Sequence, residues 1–249
     1  MKFGIFSDIH SNLESLKAVL DELKKQDADK YIFLGDFVGY NSSPNECIDL
    51  IKNNFILEGR NQNFFAVLGN HDARCFGHEM GTFFKEAAIA VEWTKRELAP
   101  QKLEFLKSFL LVQKIENFFI CHGSPASPPA MEYLKTLGEA RKNFKFFKEK
   151  ICFYGHTHVP EIYSSRGGKV SGIPFSGKIA IKPDVRYLIN AGSTGQPRDG
   201  DRRASCCIYD EAAKLVEIFR VEYDFRITQE KNSKAGLPAY LNKRLEKAR

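Results

Sequence analysis

Over the first 160 residues, short apolar runs alternate with stretches in which hydrophobic side chains recur every three or four positions. The runs KFGIF, YIFL, FFAVL, FFIC and ICFY are apolar but for Lys2, the pattern of strands covered on both faces. Between them, Leu13, Leu16, Leu20 and Leu23 mark one face of a helix opening at about Ser11, where Ser11 and Glu14 have capping-box spacing. Pro44 opens a second helix through Cys47, Ile48 and Ile51. Further helices are predicted over about 79–98, from Pro100 to about 112, and over about 136–149. Beyond residue 160 the pattern changes to EIYSS, KIAI, RYLIN, ASCCIYD and LVEIFRVEY, separated by Gly, Pro and Asp, which predicts antiparallel pairing. The expected fold class is α/β (α+β), a single domain over 1–249 with one early and one late sheet facing each other. A basic helix over about 227–249 either packs on that domain or frays from it.

The apolar runs end in polar residues of few kinds: Asp8 and His10; Asp36; Asn70, His71 and Asp72; His122; His156 and His158. Ligands of open α/β sheets bind at the carboxyl ends of strands, so these groups are expected to converge in one cleft. Taken singly, each has a plainer reading: an Asp caps a helix or forms a turn, GD is a turn dipeptide, and one histidine satisfies its ring locally. Together they use five of the six histidines and leave only His78 aside. Imidazole, carboxylate and amide donors without cysteine suit Mn, Fe or Zn. Seven of them, Asp8, His10, Asp36, Asn70, His122, His156 and His158, exceed one ion's needs, and a carboxylate shared by two ions about 3.5–4 Å apart is a clamp for phosphate-ester hydrolysis. Asp36, alone on its strand, is the candidate bridge. His156 and His158 face the same way in an extended strand unless the chain turns between them.

Composition adds little. Hydrophobic residues make up 43% and charged residues 27%, values of an ordinary globular protein. The six cysteines have no CxxC spacing and read as reduced core thiols. No apolar run approaches a signal peptide or membrane span, so no membrane association and a cytoplasmic location are expected. The net charge of +6 lies mostly in KNSKAGLPAYLNKRLEKAR, read as a solvated basic helix, and FKFFKEK reads as a helix with a buried Phe face. A nucleic-acid partner is therefore admitted but not favoured.

The ordered set DxH, GD, GNHD, H and GHxH resembles the signature of the calcineurin-like metallophosphoesterase superfamily. The resemblance implies a four-layer α/β/β/α sandwich of two mixed sheets and two divalent or trivalent ions, with Mn favoured over Fe or Zn and Ni or Co admitted. It assigns Asp8, His10, Asp36 and His158 to one ion and Asp36, Asn70, His122 and His156 to the other, so that a turn in GHTH splits its histidines between them. It also implies attack on phosphorus by a hydroxide bridging the ions, with His71 as general acid and Asp72 orienting it. GDFVGYNSSPNE, CHGSP, GHTHVP and NAGSTGQPRDGDRRAS resemble small prokaryotic phosphodiesterase-like members related to diadenosine tetraphosphatases and serine/threonine phosphatases. Ala191 stands where such relatives commonly carry proline.

Gly39-Tyr40 replaces the Asp-Arg pair of the GDxVDRG phosphatases, which weighs against protein and dinucleoside-polyphosphate substrates and leaves a small phosphodiester as the first expectation. The alternatives are those two phosphatase activities, a nuclease, or a non-catalytic scaffold, against which the intact His71 speaks. Asn12, Arg74, Ser193 and Arg198 are candidate substrate contacts, the last two in a Gly-rich loop able to cradle phosphate. Homo-oligomerisation stays open.

Overall fold

A computed structural model describes residues 1–56, 63–173 and 177–249. In chain order its elements are β1 (Lys2–Phe6), α1 (Leu13–Lys25), β2 (Lys30–Phe33), α2 (Pro44–Ile51), β3 (Phe64–Ala66), α3 (Asn70–Cys75), α4 (Lys85–Glu97) and α5 (Pro100–Lys107). Then follow β4 (Val112–Ile115), β5 (Phe118–Cys121), α6 (Leu137–Asn143), β6 (Ile151–Tyr154), β7 (Pro160–Arg166) and β8 (Lys169–Ile173). The chain finishes with β9 (Lys178–Ala180), β10 (Arg186–Ala191), β11 (Ala204–Asp210), β12 (Leu215–Val221), α7 (Phe225–Lys234) and α8 (Ala239–Lys247).

The strands form two sheets, ordered β3-β2-β1-β11-β12-β9 and β4-β5-β6-β10-β7-β8. Phe3, Ile5, Ile32 and Val67 of the first sheet meet Phe118, Ile120, Phe153 and Ile189 of the second in a core between the sheets. The alternate residues of the same strands face outward: Phe6 and Phe33 pack under Leu16, Leu20 and Ile48 of α1 and α2. On the other side, Cys121, Cys152 and Tyr154 pack under Ala140 of α6 and the Phe144–Phe147 turn. Covered on both faces, the central strands carry apolar side chains on both sides, which is why they show little alternation. The result is the expected four-layer α/β/β/α sandwich.

The division into an early and a late sheet is not what forms. β1 pairs antiparallel with β11, and β10 pairs parallel with β6, so late strands complete both sheets. Several element boundaries also differ. Asn12 rather than Ser11 caps α1, its side chain accepting from the Ser15 N–H, so no Ser11–Glu14 box forms. α4 starts at Lys85, α5 ends at Lys107, and Val112–Ile115 is an edge strand on β5 rather than helix. α6 stops at Asn143, so FKFFKEK is not helical: the Arg186 guanidinium lies over the Phe144 and Phe147 rings and takes both their carbonyls. The C-terminal segment is two packed helices, not one, broken at Gly236 (φ 69°) ahead of Pro238. Leu241 and Leu245 of α8 are buried, so this segment is docked. All six cysteines are buried and free. Among the described residues no helix is long and apolar enough to cross a membrane.

Candidate metal centre

The carboxyl ends of β1, β2 and β3 in one sheet and of β5 and β6 in the other open onto one place, where the chain leaves each strand through an irregular turn. Asp8, His10, Ser11, Asp36, Tyr40, His156 and His158 all have left-handed backbone, with φ between 48° and 68°. Left-handed backbone costs an ordinary L-residue about 1–2 kcal/mol, so the surroundings must hold it in place. They do so with cross-loop hydrogen bonds: Asp8 N–H to Gly35 O at 3.0 Å, His10 N–H to Asp36 O at 3.0 Å and Ser11 N–H to Phe37 O at 2.9 Å. The turn in GHTH closes by Thr157 N–H to Gly155 O at 2.8 Å, and Asn190 clamps it by donating to Gly155 O and to Thr157 Oγ1. Close approach also dictates glycine at position 69, where a Cβ would lie 2.0 Å from Asp36 Oδ1.

The turn sends the two GHTH histidines to different neighbours. His158 Nε2 lies 3.2 Å from Asp8 Oδ1 and 3.1 Å from His10 Nε2, while His156 Nδ1 lies 3.1 Å from His122 Nε2. Asp36 Oδ2 sits between the groups, 3.5 Å from His10 Nε2 and 3.2 Å from His122 Nε2. Asn70 Oδ1 is 3.2 Å from His122 Nε2. All seven residues are buried. Two triads of ligand atoms result, Asp8–His10–His158 and Asp36–His122–His156, each compact enough for one ion, and a third triad adds His71 to His10 and Asp36.

Hydrogen bonding shows what this pocket lacks. The Nδ1 atoms of His10, His122 and His158 face the carbonyls of Val38, Leu34 and Gln196, which fixes each ring with its Nε2 turned inward. The Nε2 atoms of His10 and His158 then face each other at 3.1 Å. Asp8 Oδ1 and His156 Nε2 are buried with no hydrogen-bond partner. Burial and the His122 charge push His156 down to about 3, and burial with the Arg198 charge does the same to His158, so both rings are neutral at neutral pH. Burial works against charge on His122, yet Asp36 more than offsets it and raises that ring to about 10, marking a spot that calls for positive charge. Opposed ring nitrogens, orphaned buried acceptors and oxygen–imidazole chemistry fit a pair of cations.

His71 stands beside this cluster, its ring 4.7 Å from that of His10 and 4.4 Å from that of Tyr40, with a buried Nδ1 that has no partner. Asp72 does not orient it. Its carboxylate accepts from the N–H groups of Asp36, Val38 and Gly69 and ties the two turns together. Three of the four candidate substrate contacts are also engaged elsewhere. Asn12 caps α1 and donates to Gly195 O at 2.9 Å. Ser193 Oγ donates to Asp8 O and accepts from Gln196 N–H. Arg74 pairs with Glu79 at 3.4 Å and lies over Phe83. Only Arg198 remains at the cluster, its Nη2 donating to Tyr40 Oη at 2.9 Å and its Nε buried without a partner. Sequence reading missed Tyr133, which stacks on the His156 ring at 4.1 Å from the SPASPPAMEY loop, and Arg244, which approaches Tyr40 from α8.

A profile of the calcineurin-like phosphoesterase superfamily domain matches residues 1–214. This chain belongs to that superfamily. An uncharacterized protein of Methanocaldococcus jannaschii is 41% identical over 247 residues, which cover 97% of this chain and 96% of the relative. A phosphodiesterase of the same archaeon is 26% identical over 159 residues, 64% of this chain and 74% of its own. The crystal structure of a metallophosphoesterase from Sphaerobacter thermophilus is 33% identical, covers 100% of this chain and 99% of its own, and superposes with a TM-score of 0.83. As a superfamily member, the chain is a hydrolase of phosphoesters, and the superfamily works through a dinuclear metal centre.

Proposed function

We propose that the chain hydrolyses phosphodiesters with two cations, Mn favoured, held by Asp8, His10, Asp36 and His158 on one side and by Asp36, Asn70, His122 and His156 on the other. The observation that carries this reading is the pair of close imidazole contacts, His10 to His158 and His122 to His156, each 3.1 Å between ring nitrogens. When bound, two such ions activate water for attack on phosphorus and neutralise charge on the phosphate.

The chain's own residues do the rest. Arg198 offers its unpartnered Nε to a phosphate oxygen as a charge-assisted donor. His71 gives a proton to the leaving oxygen. Burial holds its ring well below the ordinary histidine range, so it takes up that proton only as the negative phosphate enters beside it. Asp72 keeps the Asp36 and His71 turns in register through backbone N–H groups. The diester preference draws on the similarity to the archaeal phosphodiesterase and on Gly39-Tyr40 in place of an Asp-Arg pair.

The test is a metal-resolved turnover screen over phosphomonoesters, phosphodiesters, cyclic nucleotides, dinucleoside polyphosphates and oligonucleotides, with Asp36→Asn as control. Diester turnover in Mn that falls at least 100-fold in Asp36→Asn is expected. Equal rates for variant and native protein, or faster monoester than diester hydrolysis, refute the proposal. His71→Ala slows an alkyl ester more than a nitrophenyl ester, and equal slowing removes His71 as the acid.

A further inference from the structure

α8 lies beyond residue 214, where the superfamily match ends, yet it reaches the mouth of the site. It docks through Leu241, which packs with Leu237 against Ala87 and Ala90 of α4 and against Tyr40. Arg244, one turn further on, is thereby brought over three rings: Tyr40 at 5.9 Å, Phe84 at 5.2 Å and Tyr240 at 5.8 Å. Its Nε donates to the main-chain oxygen of Arg249, and among the described residues its two Nη groups have no partner. Arg198 lies over the same Tyr40 ring at 5.6 Å. Among the described residues neither guanidinium is paired with an Asp or Glu side chain, and both residues are half-buried.

Two like charges sharing a ring repel each other, and an anion held between them relieves that repulsion. Burial and the repulsion of Arg198 accordingly hold Arg244 below the ordinary arginine range. Tyr40 in turn touches His10 and His71, both ring centres at 4.4 Å, so the two arginines stand one ring away from the reacting position. Around them Phe84, Tyr133 and Tyr240 are 38%, 37% and 49% exposed at the rim, an aromatic margin beside the two guanidinium groups.

We infer that Arg198 and Arg244 together form an anion subsite for a second phosphoryl group, next to the one being hydrolysed. The substrate class is a nucleotide ester with at least two phosphoryl groups, whose base stacks on the Phe84–Tyr240 side of the rim. The inference rests on the phosphoesterase reading of the same site, but it assigns α8 a task of its own: reading the part of the substrate that is not cleaved. A guanidinium fork matches phosphate oxygens in two places at once, and planar bases stack on aromatic side chains.

The experiment measures binding by calorimetry of ADP, AMP and inorganic phosphate to Mn-loaded native protein and to Arg244→Met, which keeps the apolar stem that helps seat α8. Native protein should bind ADP more tightly than AMP. In Arg244→Met that advantage should shrink about tenfold, with phosphate affinity and bis-p-nitrophenyl phosphate turnover within about twofold of native. Tyr240→Ala should weaken AMP and ADP alike, leaving phosphate unchanged. A preference for ADP over AMP that survives Arg244→Met, or that native protein never shows, overturns the subsite. Native protein that turns over no phosphoester overturns the underlying activity instead, and the nucleotide affinities still decide the subsite.

Discussion

Replacing Asn12 with alanine separates a scaffold role from a substrate contact, because its side chain has four partners and none is a ligand residue. Oδ1 accepts from Ser15 N–H at 3.2 Å and from Thr228 Oγ1 at 2.9 Å, while Nδ2 donates to Gly195 O at 2.9 Å and to Tyr223 Oη at 3.2 Å. Loss of the cap on α1 costs about 1 kcal/mol. The Gly195 carbonyl, left buried without its donor, costs about 1–3 kcal/mol more. Thr228 keeps Glu14 as a second partner, so it adds little. The sum is about 2–4 kcal/mol, which for a chain of this length lowers the melting temperature by about 4–16 °C. Differential scanning calorimetry measures that shift, and steady-state kinetics well below both transitions measure KM, expected within about twofold of native. Asn12→Asp keeps the cap acceptor but faces Gly195 O with oxygen, so it should recover only part of the loss. A melting temperature within 2 °C of native combined with a tenfold rise in KM would show that Asn12 touches substrate.

Three further outcomes are expected. Gly69→Ala places a methyl against Asp36 Oδ1 and Asp36 N, so the variant should lose at least half its bound metal by elemental analysis; full occupancy with native kcat counts against the close packing. Adding Mn at about 1,000 times its Kd to chelator-treated protein stabilises each site by about 4 kcal/mol, and an unchanged melting temperature refutes the cation pair. Burial raises Glu161 from its ordinary 4.5 to about 7, so its neutral form contributes stability that is present below pH 4.5 and lost as pH rises through about 7. Glu161→Gln should therefore match native protein in thermal melting at pH 4.5 and exceed it at pH 8; a gap independent of pH removes Glu161 as the cause.

The central strands and the polar groups that end them were legible because burial on both faces writes a continuous apolar run, and because five histidines seldom share one kind of position. The sheet to which each strand belongs was not. ASCCIYD carries no local mark that its partner is KFGIF, some 200 residues earlier, since that pairing is settled by which faces can be covered together. Left-handed backbone at Asp8, Asp36 and His158 was equally hidden, because such residues, unlike glycine, do not advertise it; GHTH showed only that two imidazoles needed a turn to part. Ser193 and Asn12 looked available to substrate on the page of letters, yet a buried hydroxyl or amide is claimed first by the backbone around it. Arg244 sat in a run of lysines and arginines, and nothing in that run distinguished the one that turns inward.

β1 lies in the middle of its sheet, between β2 and β11. During synthesis its Phe3 and Ile5 edge therefore waits for residues 204–210 to leave the ribosome, about 10–40 s at ordinary elongation rates. Until then a nascent chain displays an apolar strand margin open to other chains, so early translational arrest should yield aggregates rather than a smaller folded enzyme.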